Sequence, residues 1–222
     1  MSGTIDIRNI SFEKFIEFLF DRDVPREDED NEAKKRDPWY WIVDVCFDAR
    51  QVCKYYRTLF NRSQFLLERY SKEQLEQGFW AIFGSNLDCS AGNVIWVEEL
   101  PFHLREECVR AMFFLFRDLF FAEPLDTSVY MWWDPFCYDW HCGNRRRENG
   151  GEDLLMQDVM FETLAKILLL ESEICQAAAL HGLSHLHHPK TEELIQSYLD
   201  GRQSISSEWR EFALAASQFK LM

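Results

Sequence analysis

The stretch from Pro101 to Phe121 constrains the fold more than any other segment of the chain. Leu104, Cys108, Ala111, Met112, Leu115 and Leu119 recur at the three- and four-residue spacing of one helix face. Phe113, Phe114, Phe116, Phe120 and Phe121 extend the apolar surface around most of the remaining circumference. A helix that is apolar nearly all round has to be covered on most sides, so this one is expected to be the central element. Arg117 and Asp118 interrupt the run, which is also too short to cross a bilayer, where about 20 apolar residues are needed. No membrane helix is expected.

The rest of the chain reads as helices of the same period. Phe12, Phe15, Ile16, Leu19 and Phe20 form one stripe, with Ser11 placed to cap it. Asp37 and Pro38 look like a helix start, followed by a stripe through Ile42, Cys46, Ala49, Cys53, Tyr56 and Phe60. A short helix is expected near Gln64–Tyr70. Ser71 with Gln74 matches a capping box for a helix ending at Gly84. A further short helix is expected near Val94–Glu99. Ala122 to Gly151 reads as irregular, with Pro124, Pro135, Gly143, Gly150 and Gly151 breaking any period. From Glu152 helices resume, separated by Ser172, Pro189 and Gly201. No segment alternates with period two, so no sheet is expected. The expected fold class is all-α, a compact multi-helix domain spanning residues 1–222. Within it, residues 1–121 are Phe-rich, 122–151 form an aromatic connection and 152–222 form helical hairpins.

Residues Ser172 to Gly201 carry an Ala-rich run (Ala177–Ala179), then Gly182–Leu183 with Leu186, Pro189, Leu194–Ile195 and a closing Gly201. That pattern resembles one unit of a HEAT-like helical repeat. The resemblance covers about 30 residues well and about 70 loosely, and the first 150 residues show no recurrence at the ~40-residue period such arrays need. It implies an α-solenoid-like C-terminal portion that acts as a scaffold for proteins or peptides.

Charge and cysteine usage bear on partners. The net charge is −14, from 24 basic and 38 acidic residues. A phosphate-binding surface normally needs a basic face, so nucleic acid and anionic membranes are not expected partners. A basic protein partner suits the balance. An immunity or antitoxin-type inhibitor is one specific form. The seven scattered cysteines and the absence of an apolar run in MSGTIDIRN point to reduced thiols in the cytoplasm.

Few residues suggest chemistry, and no catalytic motif is recognised. His181 and His185 stand four apart on an expected helix, which puts both imidazoles on one face as a metal pair requires. Gly182 occupies the place where a zinc protease carries glutamate. His141 could complete a site. The bland reading is that these histidines hydrogen-bond to neighbouring helices. Trp132, Trp133, Tyr138 and Trp140 could line a partner groove or simply plug the core. Arg145 and Arg146 could meet a partner's carboxylates or end an exposed loop. The acidic run Glu27–Asp30 lacks the pattern of a calcium loop. No cofactor is expected. The leading expectation is a non-enzymatic protein-binding scaffold, and the alternative is a metal-binding helical protein or metal-dependent hydrolase built on His181 and His185.

Overall fold

The computed structural model describes residues 4–24, 37–202 and 204–221, and Glu27–Asp30 lies outside them. The described residues are all-α, 63% helix and 2% strand. Eleven α-helices follow in order among the described residues: α1 Phe12–Phe20, α2 Ala49–Asn61, α3 Phe65–Arg69, α4 Lys72–Phe83, α5 Ala91–Val94, α6 Phe102–Leu115, α7 Asp134–His141, α8 Gly151–Leu168, α9 Glu173–Leu186, α10 Thr191–Asp200 and α11 Ser207–Ser217. No helix among the described residues is long and apolar enough to cross a membrane.

Local signals account for most of the starts. Ser11 Oγ accepts the Lys14 amide at 3.3 Å, and Ser71 with Gln74 forms the full capping box of α4. The expected start at Asp37–Pro38 is corrected. Trp39–Trp41 makes one 3-10 turn, and α2 begins only at Ala49, capped by Asp48. The reason is a pairing that the sequence did not advertise. Two-residue strands β1 (Ile5–Asp6) and β2 (Val45–Cys46) run parallel, with Ile5 N donating to Asp44 O at 2.9 Å and Ile7 N to Cys46 O at 2.8 Å. A helix running through Val45 would forfeit these bonds.

The Phe-rich run is the middle of the molecule. α6 packs between α2 on one side and α8 on the other, and a π-helical turn, Phe116–Phe120, extends it. Phe116 and Phe120 meet Trp132 edge-on at 6.4 and 5.6 Å between centroids, while Phe116 stacks on Trp133 at 6.3 Å. Buried Arg105 spans one end of α6, donating to the carbonyls of Leu100 and Ile95 and pairing with Glu152 at the start of α8. A charge this deeply enclosed persists only when its donors are matched in this way.

The connection after α6 is held by one carboxylate. Glu76 on α4 accepts the amides of Asp126, Thr127 and Ser128 at 2.8–3.1 Å, the hydroxyls of Thr127 and Ser128, and the Trp80 indole N–H. That clamp fixes the chain just before Tyr130. The expectation of an irregular 122–151 segment is corrected in its middle, where Asp134–His141 is helical with Pro135 in the first turn, a position where its missing N–H costs nothing. α7 then lies against α9, and α9 also packs on α8 and α11.

Gly182 makes that approach possible. A Cβ there would fall 2.7 Å from Trp133 Cβ and 2.9 Å from Leu164 Cδ2. Gly182→Ala therefore forces α9 away from both α7 and α8. We expect a loss of about 1–3 kcal/mol, read as a lowered urea midpoint, as overpacking of a close-packed core costs. An unchanged midpoint would show that the contact yields freely.

Candidate metal centre

Two helices supply the site. On α9, His181 and His185 are one turn apart and buried, 1% and 2% exposed. On α7, Asp134 opens the helix and His141 closes it, seven residues on and so on the same face. Trp133, enclosed beneath Gly182, sets the height at which Asp134 enters. Ligand atoms of Asp134, His181 and His185 all lie within 4.8 Å of one another.

His181 Nε2 and His185 Nε2 are 3.0 Å apart. Asp134 Oδ1 is 3.3 Å from His181 Nδ1 and 3.8 Å from His185 Nε2. Atoms bound to one ion at ~2.1 Å sit at most ~4.2 Å apart, and ~3.4 Å apart in a tetrahedron. These contacts use both nitrogens of His181; with one donor atom from each residue the three lie within 4.8 Å of one another, a little wider than an occupied site. His181 Nδ1 faces the Tyr130 carbonyl at 3.3 Å. With the proton assigned to Nδ1 for that bond, Nε2 presents its lone pair toward His185. This is how a metal-bound histidine is commonly oriented, by a carbonyl on its second nitrogen. Tyr130 also stacks on the His181 ring, 4.3 Å between centroids and 8° from parallel, so the imidazole cannot turn freely.

Two atoms of the cluster lack hydrogen-bond partners. Asp134 Oδ1 and His185 Nδ1 are buried and unsatisfied. Buried polar atoms of this kind are rare, because each costs about 1–3 kcal/mol. An orphaned carboxylate oxygen beside two imidazoles is what a cation would satisfy.

Burial acts on both kinds of donor, favouring a neutral His185 and opposing ionisation of Asp134. Burial first, then the neighbouring His181, His141 and His187, push His185 down to about 4. Burial and His141 also lower His187. Desolvation raises the Asp134 carboxyl, with His181 opposing. A histidine that stays neutral at pH 7 keeps a lone pair for a metal.

The remaining sequence candidates disperse. His141 packs edge-on to His185, 5.0 Å between centroids, but turns Nδ1 toward His187 Nε2 at 3.2 Å and stands outside the triad. Trp132 and Trp133 have no exposure, which corrects their reading as groove walls: they are core rings clamped by Phe116 and its neighbours. Trp140 is 5% exposed and packs on Trp96. Tyr138 is exposed and stacks on His141. Arg145 is taken up by Asp139, Asp153 and the face of Trp96, whereas Arg146 is exposed and donates to Gly143 O. Asp134 was not singled out from the sequence. Pro135, read there as a breaker, sits in the first turn of α7 and is the local signal that could have placed Asp134 at a helix start.

No family model, curated protein or solved structure matches the chain.

The depressed His185 pKa sets a pH dependence for the metal-free protein. Above pH 6.5 the imidazole is neutral both folded and unfolded, and contributes nothing. Below 6.5 the unfolded chain takes up a proton that the folded chain refuses, so stability falls until about pH 4. The full difference is on the order of 3 kcal/mol. In chelator, His185→Gln is expected to lose less stability than the wild type between pH 7.5 and 4.5, measured by urea unfolding. Equal losses would contradict the burial argument.

Proposed function

We propose that the protein binds one divalent ion of the iron-to-zinc series through Asp134, His181 and His185. The observation that carries this reading is the buried Asp134 Oδ1, without a hydrogen-bond partner, close to the imidazoles of His181 and His185. Two histidines and one carboxylate suit zinc or iron(II) better than magnesium or calcium, which favour oxygen donors. Three protein ligands leave a position for water, the arrangement of reactive rather than purely structural zinc sites. The chemistry such an ion supplies is activation of that water for hydrolysis.

A second reading draws on the charge of −14 and on exposed Trp41, Ile42 and Tyr138: a scaffold that docks a basic protein. The HEAT-like pattern of Ser172–Gly201 supports it, as do the Tyr138 and Arg146 side chains on the surface. An immunity-type inhibitor is one form. Seven free thiols suit a cytoplasmic setting for either reading. Affinity for a basic partner should fall with added salt.

Elemental analysis with thermal unfolding tests the metal. We expect close to one equivalent of zinc or iron per chain, and zinc at about 100 times its Kd should stabilise the fold by about 2.7 kcal/mol. His185→Gln should weaken zinc binding ~100-fold or more, since one of three ligands is lost. Less than about a tenth of an equivalent, with unfolding unchanged by zinc or chelator, would overturn the reading.

A further inference from the structure

Asp134 also lines a second feature, whose other walls the metal reading does not use. A half-open cavity of about 260 Å³ is walled by Tyr40, Trp41, Trp80 and Phe83, with Met131 and Asp134 among its other lining residues. That is slightly below the ~300–1,000 Å³ of pockets for drug-sized ligands, and so fits a small molecule or a single side chain. We propose that this cavity binds an alkylated ammonium group, held against aromatic faces and the Asp134 carboxylate.

Three observations carry the proposal. The first is sign. Asp134 is the one charged residue among the described lining residues, and no lysine, arginine or histidine joins it. On a chain of net charge −14, the cavity favours a cation. The second is the wall. Aromatic faces attract a cation through their negative quadrupole, and clusters of them recognise quaternary ammonium groups whose hydration is weak. A compact, strongly hydrated ion would gain less from such a wall.

The third is order. Trp80 is fixed by its indole N–H, which donates to Glu76 Oε1 at 3.0 Å and to Thr127 Oγ1 at 3.2 Å, and it packs on Phe83 at 4.6 Å between centroids. The wall is thus set before a ligand arrives. Trp41, by contrast, is 55% exposed, and among the described residues its backbone N–H donates to Pro38 O at 2.9 Å. Its indole is the face with most to gain from a bound cation. In the metal-free protein Asp134 is open to this role: its Oδ1 is buried beside the histidines, while its side chain keeps 23% exposure and lines the cavity.

Calorimetric titration of the full chain in chelator tests this apart from the metal reading, because no ion is then present. The probes are choline and its neutral carbon isostere, 3,3-dimethyl-1-butanol. Saturable one-to-one binding of choline is expected, with the isostere at least ~10-fold weaker, since only the cation engages the ring faces and the carboxylate. Trp41→Ala should weaken choline by about 10-fold while leaving the circular dichroism unchanged, because the side chain is largely outside the core. Asp134→Asn should weaken choline and leave the isostere unaffected. A peptide bearing trimethyllysine, titrated alongside, separates the two sources of the head group: the better ligand of the two names the source. Equal affinity for choline and the isostere would overturn the proposal, as would no effect of Trp41→Ala. So would failure of both choline and the peptide to saturate by ~10 mM.

Discussion

The close approach of α9 to Trp133 and Leu164 at Gly182 is the contact on which the rest of the site depends. A methyl group at that position would overlap Trp133 Cβ, an atom anchored to the backbone of the residue before α7. Only hydrogen lets the two helices meet there. Because Trp133 directly precedes Asp134, the same contact brings the carboxylate level with His181 and His185. The glycine is thus both a packing residue and the reason that three donors from two helices share one small volume.

The aromatic core and the Glu76 clamp make that arrangement stiff. Trp132 and Trp133 are seated among Phe116, Phe120 and Phe136, so the chain entering α7 has no freedom to slide. Glu76 holds the preceding turn by three amides and two hydroxyls. Such preorganisation is what a metal site needs, since ligands that must be ordered on binding subtract from affinity. It also explains how the structure tolerates an unsatisfied buried carboxylate oxygen: the surrounding packing fixes it in place at a cost that a bound ion would recover.

Much of this was legible in the sequence. The four-residue spacing of His181 and His185 gave their common face, and the near-continuous apolar circumference of 101–121 gave the central helix, which lies between α2 and α8. The capping box at Ser71 gave a helix start to the residue. Other features were silent because their causes are not local. Asp134 meets the histidines only through the packing of α7 on α9, which no spacing encodes. The Asp37–Pro38 start signal was overridden by the β1–β2 pairing, whose two-residue strands are too short to show an alternation. Trp132 and Trp133 resembled interface anchors because aromatic residues in an irregular stretch carry the same composition whether they face a partner or a core. Their burial is decided by Phe116 and Phe120, distant in sequence. The Ala-rich pattern at 177–179 reflects tight packing, and α9 has its main neighbours in α7, α8 and α11.

The central claim is that one ion sits among Asp134, His181 and His185. X-ray absorption spectroscopy at the zinc edge of the loaded full-length protein tests it most directly. The account predicts a first shell of nitrogen and oxygen only, at ~2.0–2.1 Å, with the multiple scattering of two imidazoles. A shell containing sulfur at ~2.3 Å, or one of oxygen alone without imidazole scattering, would place the ion elsewhere and contradict it.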